Sequence, residues 1–341
     1  MKGGNNLHRF ALFTAVATFF LIIAGGLVTS TGSALSVPDW PLSYGQLMPP
    51  MVGGILYEHG HRMVASFVGF LTVILSIWLW RSDNPRWVRT LGWFALGAVI
   101  AQGVLGGLTV LYLLPTPISV AHATLGQTFF SLVAAIALFT SSWWRSNEPK
   151  LVNESHGANI TTLCIITAVA VYIQLILGAL MRHTDSGLAV PDFPLAYGQL
   201  FPSLTPDALA RYNDQLLQSD IRIAADGPIT ASQILIHMLH RCWAVVVTVM
   251  ILWTSIRLAK LSKQASRLSR FGFVLPILLI IQITLGAFTV LTLKSVGITT
   301  AHVATGALIL VTCVLASLHS VKIYGFEFRR AFVMHAQEAT A

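Results

Sequence analysis

This sequence is poor in charge. Only 10% of its 341 residues are Asp, Glu, Lys or Arg, where an ordinary soluble domain has about a quarter, while 55% are hydrophobic and the mean hydropathy is +0.72. That balance excludes a soluble globular domain and describes a chain embedded in lipid. Cysteine is scarcer still in number, with three residues. Cys164, Cys242 and Cys313 all fall inside apolar runs and none lies in a loop, which excludes a disulfide framework and a cysteine-held zinc site. A clustered basic face on a soluble module is also missing, so the net charge of +8 gives no expectation of nucleic acid.

What the chain has is apolar length. Runs of about 20 residues, enough to cross the hydrocarbon core, lie near 9–29, 61–80, 91–113, 119–143, 159–181, 234–256, 271–293 and 299–321. They predict an all-α polytopic membrane protein of eight transmembrane helices with both termini on one side. The first run is longer than the 7–15 residues of a signal-peptide core. Its end, Gly25-Gly26-Leu27-Val28, is echoed by Gly178-Ala179-Leu180-Met181, so it reads as a retained helix. With the termini inside, the inner segments carry most of the Lys and Arg residues, including Arg81, Arg86, Arg89 and the cluster Arg257, Lys260, Lys263, Arg267, Arg270. The positive-inside rule then sets both termini on the cytoplasmic side, and a bacterial-type cell inner membrane is the expected location. The long loops 30–60 and 182–233 face outward and hold most of the acids, among them Asp39, Asp192, Asp220 and Asp226.

The chain repeats itself. Residues 33–49 match 186–202 at an offset of 153, with 12 of 17 positions identical. Further on, His61-Arg62 matches His240-Arg241, and Gln102, Leu105-Gly106 and Thr109-Val110-Leu111 match Gln282, Leu285-Gly286 and Thr289-Val290-Leu291; His122 matches His302 at that last offset. The growing offset locates an insertion around 203–229, expected to be a surface elaboration of one half. Two halves result, 1–150 and 151–341. Each holds four spans, so the second enters the membrane in the same sense as the first. The expectation is two four-helix bundles related by a pseudo-two-fold along the membrane normal.

Most of the histidines invite a bland reading. His8, His156 and His335 fall in inner polar segments and are expected to be solvated, His319 lies at the inner end of the last span, and His59 and His183 occupy outer-loop positions. Four are different. His61, His122, His240 and His302 each fall within the first two turns of an inward-running span, all at one depth. A single intramembrane histidine is usually a hydrogen-bonded packing residue, but a pair recurring in both halves, on helices two apart, points to function. Zinc wants three or four ligands, and each half offers two. Two imidazoles on opposite helices suit the axial positions of haem iron. Gly106, Gly107, Gly126, Gly286 and Gly306 either leave room for a flat macrocycle or serve ordinary close packing. Glu58 stands three residues before His61, on the same helical face if the helix reaches that far, and its repeat partner is His237. One reactive and one auxiliary haem would call for such an asymmetry; a solvated acid at a helix end is the plain alternative.

On these residues the chain resembles the haem A synthase family, which is similar in its four-plus-four spans and in its paired histidine in each half. The family's Glu-x-x-His-Arg element stands here as Glu58-His59-Gly60-His61-Arg62. Its outer-loop pattern stands as Thr31-Gly32-Ser33-Ala34-Leu35, Asp39-Trp40-Pro41-Leu42, Gly45-Gln46-Leu47 and Pro49. One departure is the outer-loop cysteine pair of many members, which this chain lacks, so a thiol relay is not available to it. The resemblance implies oxidation of the C8 methyl group of haem O to a formyl group, making haem A for cytochrome oxidase. It places the substrate haem O between His61 and His122, and a resident haem b between His240 and His302. Glu58 would position water or stabilise positive charge, and Arg62, Arg182 and Arg241 would be candidates for the haem propionates. Haem O synthase, an electron acceptor and the lipid bilayer are the implied partners. Two other readings stay open: a non-enzymatic di-haem b-type cytochrome drawing electrons from quinone, which gives no reason for Glu58 in one half only, and a cofactor-free parallel-repeat transporter.

Overall fold

The computed structural model describes residues 2–146, 157–219, 221, 227–261 and 265–324. His156, His335, Lys263, Asp220 and Asp226 lie outside the described residues. Eight of the helices among the described residues are long and apolar enough to cross a membrane. In chain order they are α1 (Lys2–Ser30), α2 (Gly53–Trp80), α3 (Arg86–Leu111) and α4 (Thr116–Phe139), then after the short α5 (Ser142–Arg145) comes α6 (Gly157–His183). A 3-10 turn (Ser186–Leu188) and α7 (Pro206–Gln218) occupy the second outer loop, followed by α8 (Ala231–Ala259), the short α9 (Ser266–Ser269), α10 (Phe271–Leu291) and α11 (Val296–Tyr324). Helix is the form these runs must take, because lipid offers no partner for a free backbone N–H or C=O.

Breaks fall where the sequence supplies them. Pro85 caps α3 and Pro115 caps α4. Between α3 and α4 the chain turns back through Leu113 and Leu114, both at positive φ, and between α10 and α11 through Leu293 and Lys294 in the same way. The large apolar side chains Phe20, Phe70, Phe94 and Ile280 stand outward, as lipid-facing residues do.

α1 packs on α2, α2 on α3, α3 on α4 and α4 back on α1; α6, α8, α10 and α11 close a second ring in the same order. The rings meet where α1 lies on α11 and α4 lies on α6 and α11. Exchanging α1 with α6 and α4 with α11 maps these neighbours onto themselves. Separate apolar cores fill the first ring, around Leu75, Leu79 and Ile136, and the second, around Ile251, Leu275 and Cys313. A third joins them through Phe130, Ala134, Ala307 and Val311. Since lipid is as apolar as these side chains, close packing and interhelical hydrogen bonds hold the helices together. Ser76 donates to the Gly92 carbonyl at 2.7 Å, and Thr128 and Tyr172 join α4 to α6 at 2.8 Å.

Three expectations change. α2 starts at Gly53, not near residue 61, so the first long outer loop is shorter and His59 is a buried helical residue bonded through Nδ1 to Ser43 Oγ at 2.7 Å. His8 is half-buried rather than freely solvated, and its Nδ1 meets the Ala137 carbonyl at 2.8 Å. The insertion is more than a surface elaboration. Thr205 caps α7 through the Ala208 N–H, and α7 buries Ala208, Tyr212 and Leu216 against Ala189, Val190 and Ala196 of the repeated loop.

Candidate functional site

The two repeated loops are built alike. Asp39 accepts from the N–H groups of Tyr44 (2.7 Å) and Gly45 (2.8 Å), and Asp192 from those of Tyr197 (2.8 Å) and Gly198 (2.9 Å). Each carboxylate steadies a turn whose two central residues have positive φ, a conformation a tyrosine does not favour alone. Those N–H groups hold the Asp39 carboxyl below its ordinary value of 3.8. Both loops carry a cis proline bond, Trp40-Pro41 and Phe193-Pro194. The cover differs between halves. Tyr44 is 52% exposed, whereas Tyr197 stacks on Tyr212 of α7 with centroids 3.8 Å apart, and burial there pushes its phenol up.

An arginine from the helix that follows clamps each loop. Arg62 donates to the carbonyls of Asp39 (2.8 Å), Leu42 (3.0 Å) and Val37 (3.2 Å). Arg241 does the same to Asp192 (2.7 Å), Leu195 (3.0 Å) and Val190 (3.1 Å). Most of their donors are thereby engaged. Arg182, the third candidate for an anionic group, reaches only Ser30 Oγ among the described residues, at 3.3 Å.

Glu58 is 5% exposed, so it is not a solvated helix-end acid. Its Oε1 pairs with Arg62 Nη2 at 2.7 Å and its Oε2 accepts from the Val37 N–H at 2.9 Å. His237, at the matching position, is also buried, and its Nδ1 meets the Ser186 carbonyl at 2.8 Å. Both positions therefore brace the loop, but only the first carries a negative charge.

The four intramembrane histidines share one setting that sequence reasoning did not find. Each lies against a glycine of the preceding span. An ideal Cβ built on Gly25 would stand 3.1 Å from Cε1 of His61, on Gly106 3.3 Å from that of His122, on Gly178 3.1 Å from that of His240, and on Gly286 3.0 Å from that of His302. Any larger residue would push the ring aside. Gly106 and Gly286 thus seat imidazoles, and Gly107 seats the Trp40 indole, with Cδ2 2.6 Å from a Cβ placed there. Gly126 and Gly306 face the amides of Gln102 and Gln282. The only clue in the sequence to Gly25 and Gly178 was their place in the echoed helix end.

The ring Nδ1 atoms of His61, His122 and His302 are buried without a hydrogen-bond partner. Such atoms are costly to leave unpaired, which is the mark of a polar group kept for something else. Among the described residues no three His, Cys, Asp or Glu side chains group as a metal site would require. Imidazole nitrogens seated on glycine in this way are of the donor type that would suit haem iron. Amide groups stand beside them. Gln102 Nε2 donates to the His122 carbonyl at 2.9 Å, Gln282 Nε2 is 3.5 Å from His302 Nε2, and Gln174 Nε2 is 3.2 Å from both ring nitrogens of His240.

Comparison with known proteins gives a consistent picture. The family model described as COX15-CtaA, cytochrome oxidase assembly protein, matches residues 8–54 and 52–314. A protein named heme A synthase from Alkalihalophilus pseudofirmus is 30% identical over 211 residues, covering 60% of this chain and 69% of its own length. The heme A synthase of Shouchella clausii is 31% identical over 212 residues, 60% of this chain and 68% of its own. That of Geobacillus kaustophilus is 25% identical over 346 residues, spanning 98% of this chain and 96% of its own.

Proposed function

The chain belongs to the COX15-CtaA family of cytochrome oxidase assembly proteins, and from that premise we propose the reaction and the division of labour between its two halves. It is a multi-pass membrane oxidoreductase that converts haem O to haem A, as its relatives named heme A synthase do. Turning the C8 methyl into a formyl group takes the oxygen of one water and releases four electrons and four protons to an acceptor.

The observation that carries the assignment of halves is the lone carboxylate. Two histidine pairs are seated alike, but Glu58 stands in the first half and the non-acidic His237 in the second. His61 and His122 hold the substrate, haem O, and Glu58 lies on the same helix one turn before His61. Its oxygens are fixed by Arg62 and Val37, so the negative charge is oriented in advance and needs no rearrangement as positive charge develops nearby. His240 and His302 hold the resident haem b, which supplies one-electron relay when bound. The cover of the loops supports the same division. α7 roofs the second loop, as suits a cofactor that stays, and the first loop is bare, as suits a substrate that enters and leaves.

Arg182 takes a propionate, since its guanidinium reaches one hydroxyl only. Arg62 and Arg241 would have to release loop carbonyls to do so, and they serve first as clamps. Trp40, set on Gly107 beside the Gly106 that seats His122, closes the outer side of the substrate site. The halves are related by a pseudo-two-fold along the membrane normal. The termini are cytoplasmic, because Arg81, Arg86, Arg89, Arg257, Arg267 and Arg270 lie at one end of the bundle, and the membrane is a bacterial-type inner membrane.

Cells given a haem O source and this chain should yield haem A on extraction and chromatography, and the purified protein should show the pyridine haemochrome of haem b. Haem O persisting without haem A would overturn the reaction. Protein without Soret absorbance would leave a cofactor-free transporter.

A further inference from the structure

We propose that the two repeated loops dip their tips, Leu47-Met48 and Leu200-Phe201, into the headgroup region of the bilayer, so that a lipid surface is the partner of both. The proposal concerns the outside of the loops and does not depend on what the histidine pairs hold.

The tips are alike in sequence and in exposure. Leu47-Met48 matches Leu200-Phe201 at the offset of 153, and these four side chains are 82%, 63%, 75% and 71% exposed. No charge stands among them. Residues 40–57 and 193–206 contain no Asp, Glu, Lys or Arg, whereas a water-facing segment as long as the first would carry about four. An exposed apolar pair in an uncharged setting marks a surface made for contact, and its recurrence in both halves argues against chance. Asp39 and Asp192 brace the turn just before each tip, so each pair is presented at a fixed place.

The height of the tips along the helices says what covers them. Ser43 and Gln46 exchange backbone hydrogen bonds, both at 3.0 Å, Ser43 Oγ bonds to His59, and Leu47 is the next residue. His59 stands about 32 Å along α2 from Trp80 at its far end, close to the thickness of the hydrocarbon core, about 30 Å. The first tip is therefore level with the boundary between acyl chains and headgroups. In the second half Ala196 and Gln199 pair in the same way, at 2.7 and 3.0 Å, Arg241 donates to the Leu195 carbonyl, and Leu200 follows Gln199. Arg241 stands about 27 Å along α8 from Ala259. Lipid-facing stripes rise to the same level, through Leu56, Met63 and Phe67 on α2 and through Leu235, Leu239 and Val246 on α8, all exposed and spaced as on one helical face. The tips continue these stripes. The rings meet through α1, α4, α6 and α11, so α2 and α8 carry the tips on separate flanks. One protein partner would have to straddle the molecule to cover both, whereas lipid surrounds it.

The test uses the full-length protein in vesicles of phosphatidylcholine and phosphatidylglycerol, with an environment-sensitive fluorophore on a single accessible cysteine. Cys242 is exposed and is removed by Cys242→Ser, while Cys164 and Cys313 are buried. The label is placed through Met48→Cys or Phe201→Cys, and through Asp214→Cys on the exposed face of α7 as the aqueous reference. Both tip labels should emit at shorter wavelength than the reference, lose most of their emission to lipids carrying a nitroxide near the headgroup, and resist iodide in the water. The reference should do the reverse. Iodide quenching at the tips equal to that of the reference would overturn the proposal. Protection from both quenchers would overturn it too, because protein and not lipid would then cover the tips. Lipid quenching at one tip only would sink the role shared by the two halves. If Phe201→Cys does not fold, Leu200→Cys takes its place in the same comparison.

Discussion

Glu58 Oε1 and Arg62 Nη2 stand 2.7 Å apart, one turn from each other on α2, with the glutamate almost wholly buried. This pair joins the loop clamp to the carboxylate proposed to act on the substrate, so either side chain can be removed to ask which matters. Glu58→Gln keeps the acceptor for the Val37 N–H and removes the charge. Loss of one preorganised electrostatic group lowers turnover by about 100-fold to 1,000-fold, so haem O or a hydroxylated form should accumulate while second-half haem stays bound. Arg62→Gln loosens the loop but leaves the carboxylate, and measurable haem A should remain. If extraction shows equal loss in the two variants, Glu58 acts only as a brace.

The glycine seats predict which small residues the haem sites tolerate. Gly178→Val and Gly286→Val put carbon within about 3 Å of the imidazole carbons of His240 and His302 and should remove most of the resident haem absorbance. Gly69→Val is the control, since a Cβ there meets nothing within 4 Å, and its spectrum should match that of wild type. Full absorbance in both site variants would mean that the rings do not need their present positions.

Trp40 and Gly107 form a size-matched contact that the repeat has solved differently, with Phe193 and Ala287 at the matching positions. Gly107→Ala forces carbon into the indole and should cost about 1–3 kcal/mol of stability by overpacking, read as a lower melting temperature in detergent. Adding Trp40→Phe should restore much of that loss. Additive destabilisation in the double variant would show that the two side chains do not share the space.

Asp39 allows a check by pH. Its folded carboxyl lies below the unfolded value of 3.8, lowered first by the Gly45 and Tyr44 N–H groups. The stabilisation it gives its turn is therefore complete above that value and is lost as pH falls through the lower, folded one. Hydrogen exchange of Tyr44 and Gly45, corrected for intrinsic rates, should be unchanged between pH 7 and pH 5. Asp39→Asn should raise it throughout that range. A protection that falls already near pH 6 would mean that the Asp39 carboxylate is not what holds this turn.

How the chain divides between sequence and structure follows from the range of each interaction. Eight spans, the repeat, the four histidines and the odd Glu58 were legible without coordinates, because hydrophobic length and self-similarity are properties of the string and lipid leaves helix as the only form for such runs. The start of α2 was not. Tyr57, Glu58 and His59 read as loop because they are polar, and only the tertiary contacts of Glu58 with Val37 and of His59 with Ser43 make it possible to bury them in a helix. The role of Arg62 and Arg241 was also hidden, since charge and depth alone suit a propionate as well as a ring of loop carbonyls. The fold alone decided that Gly25 and Gly178 lie under histidines, and that α7 roofs one loop and leaves the other bare. Each of these joins residues far apart in the chain, and a sequence pattern gives the face of a helix but not what lies across from it.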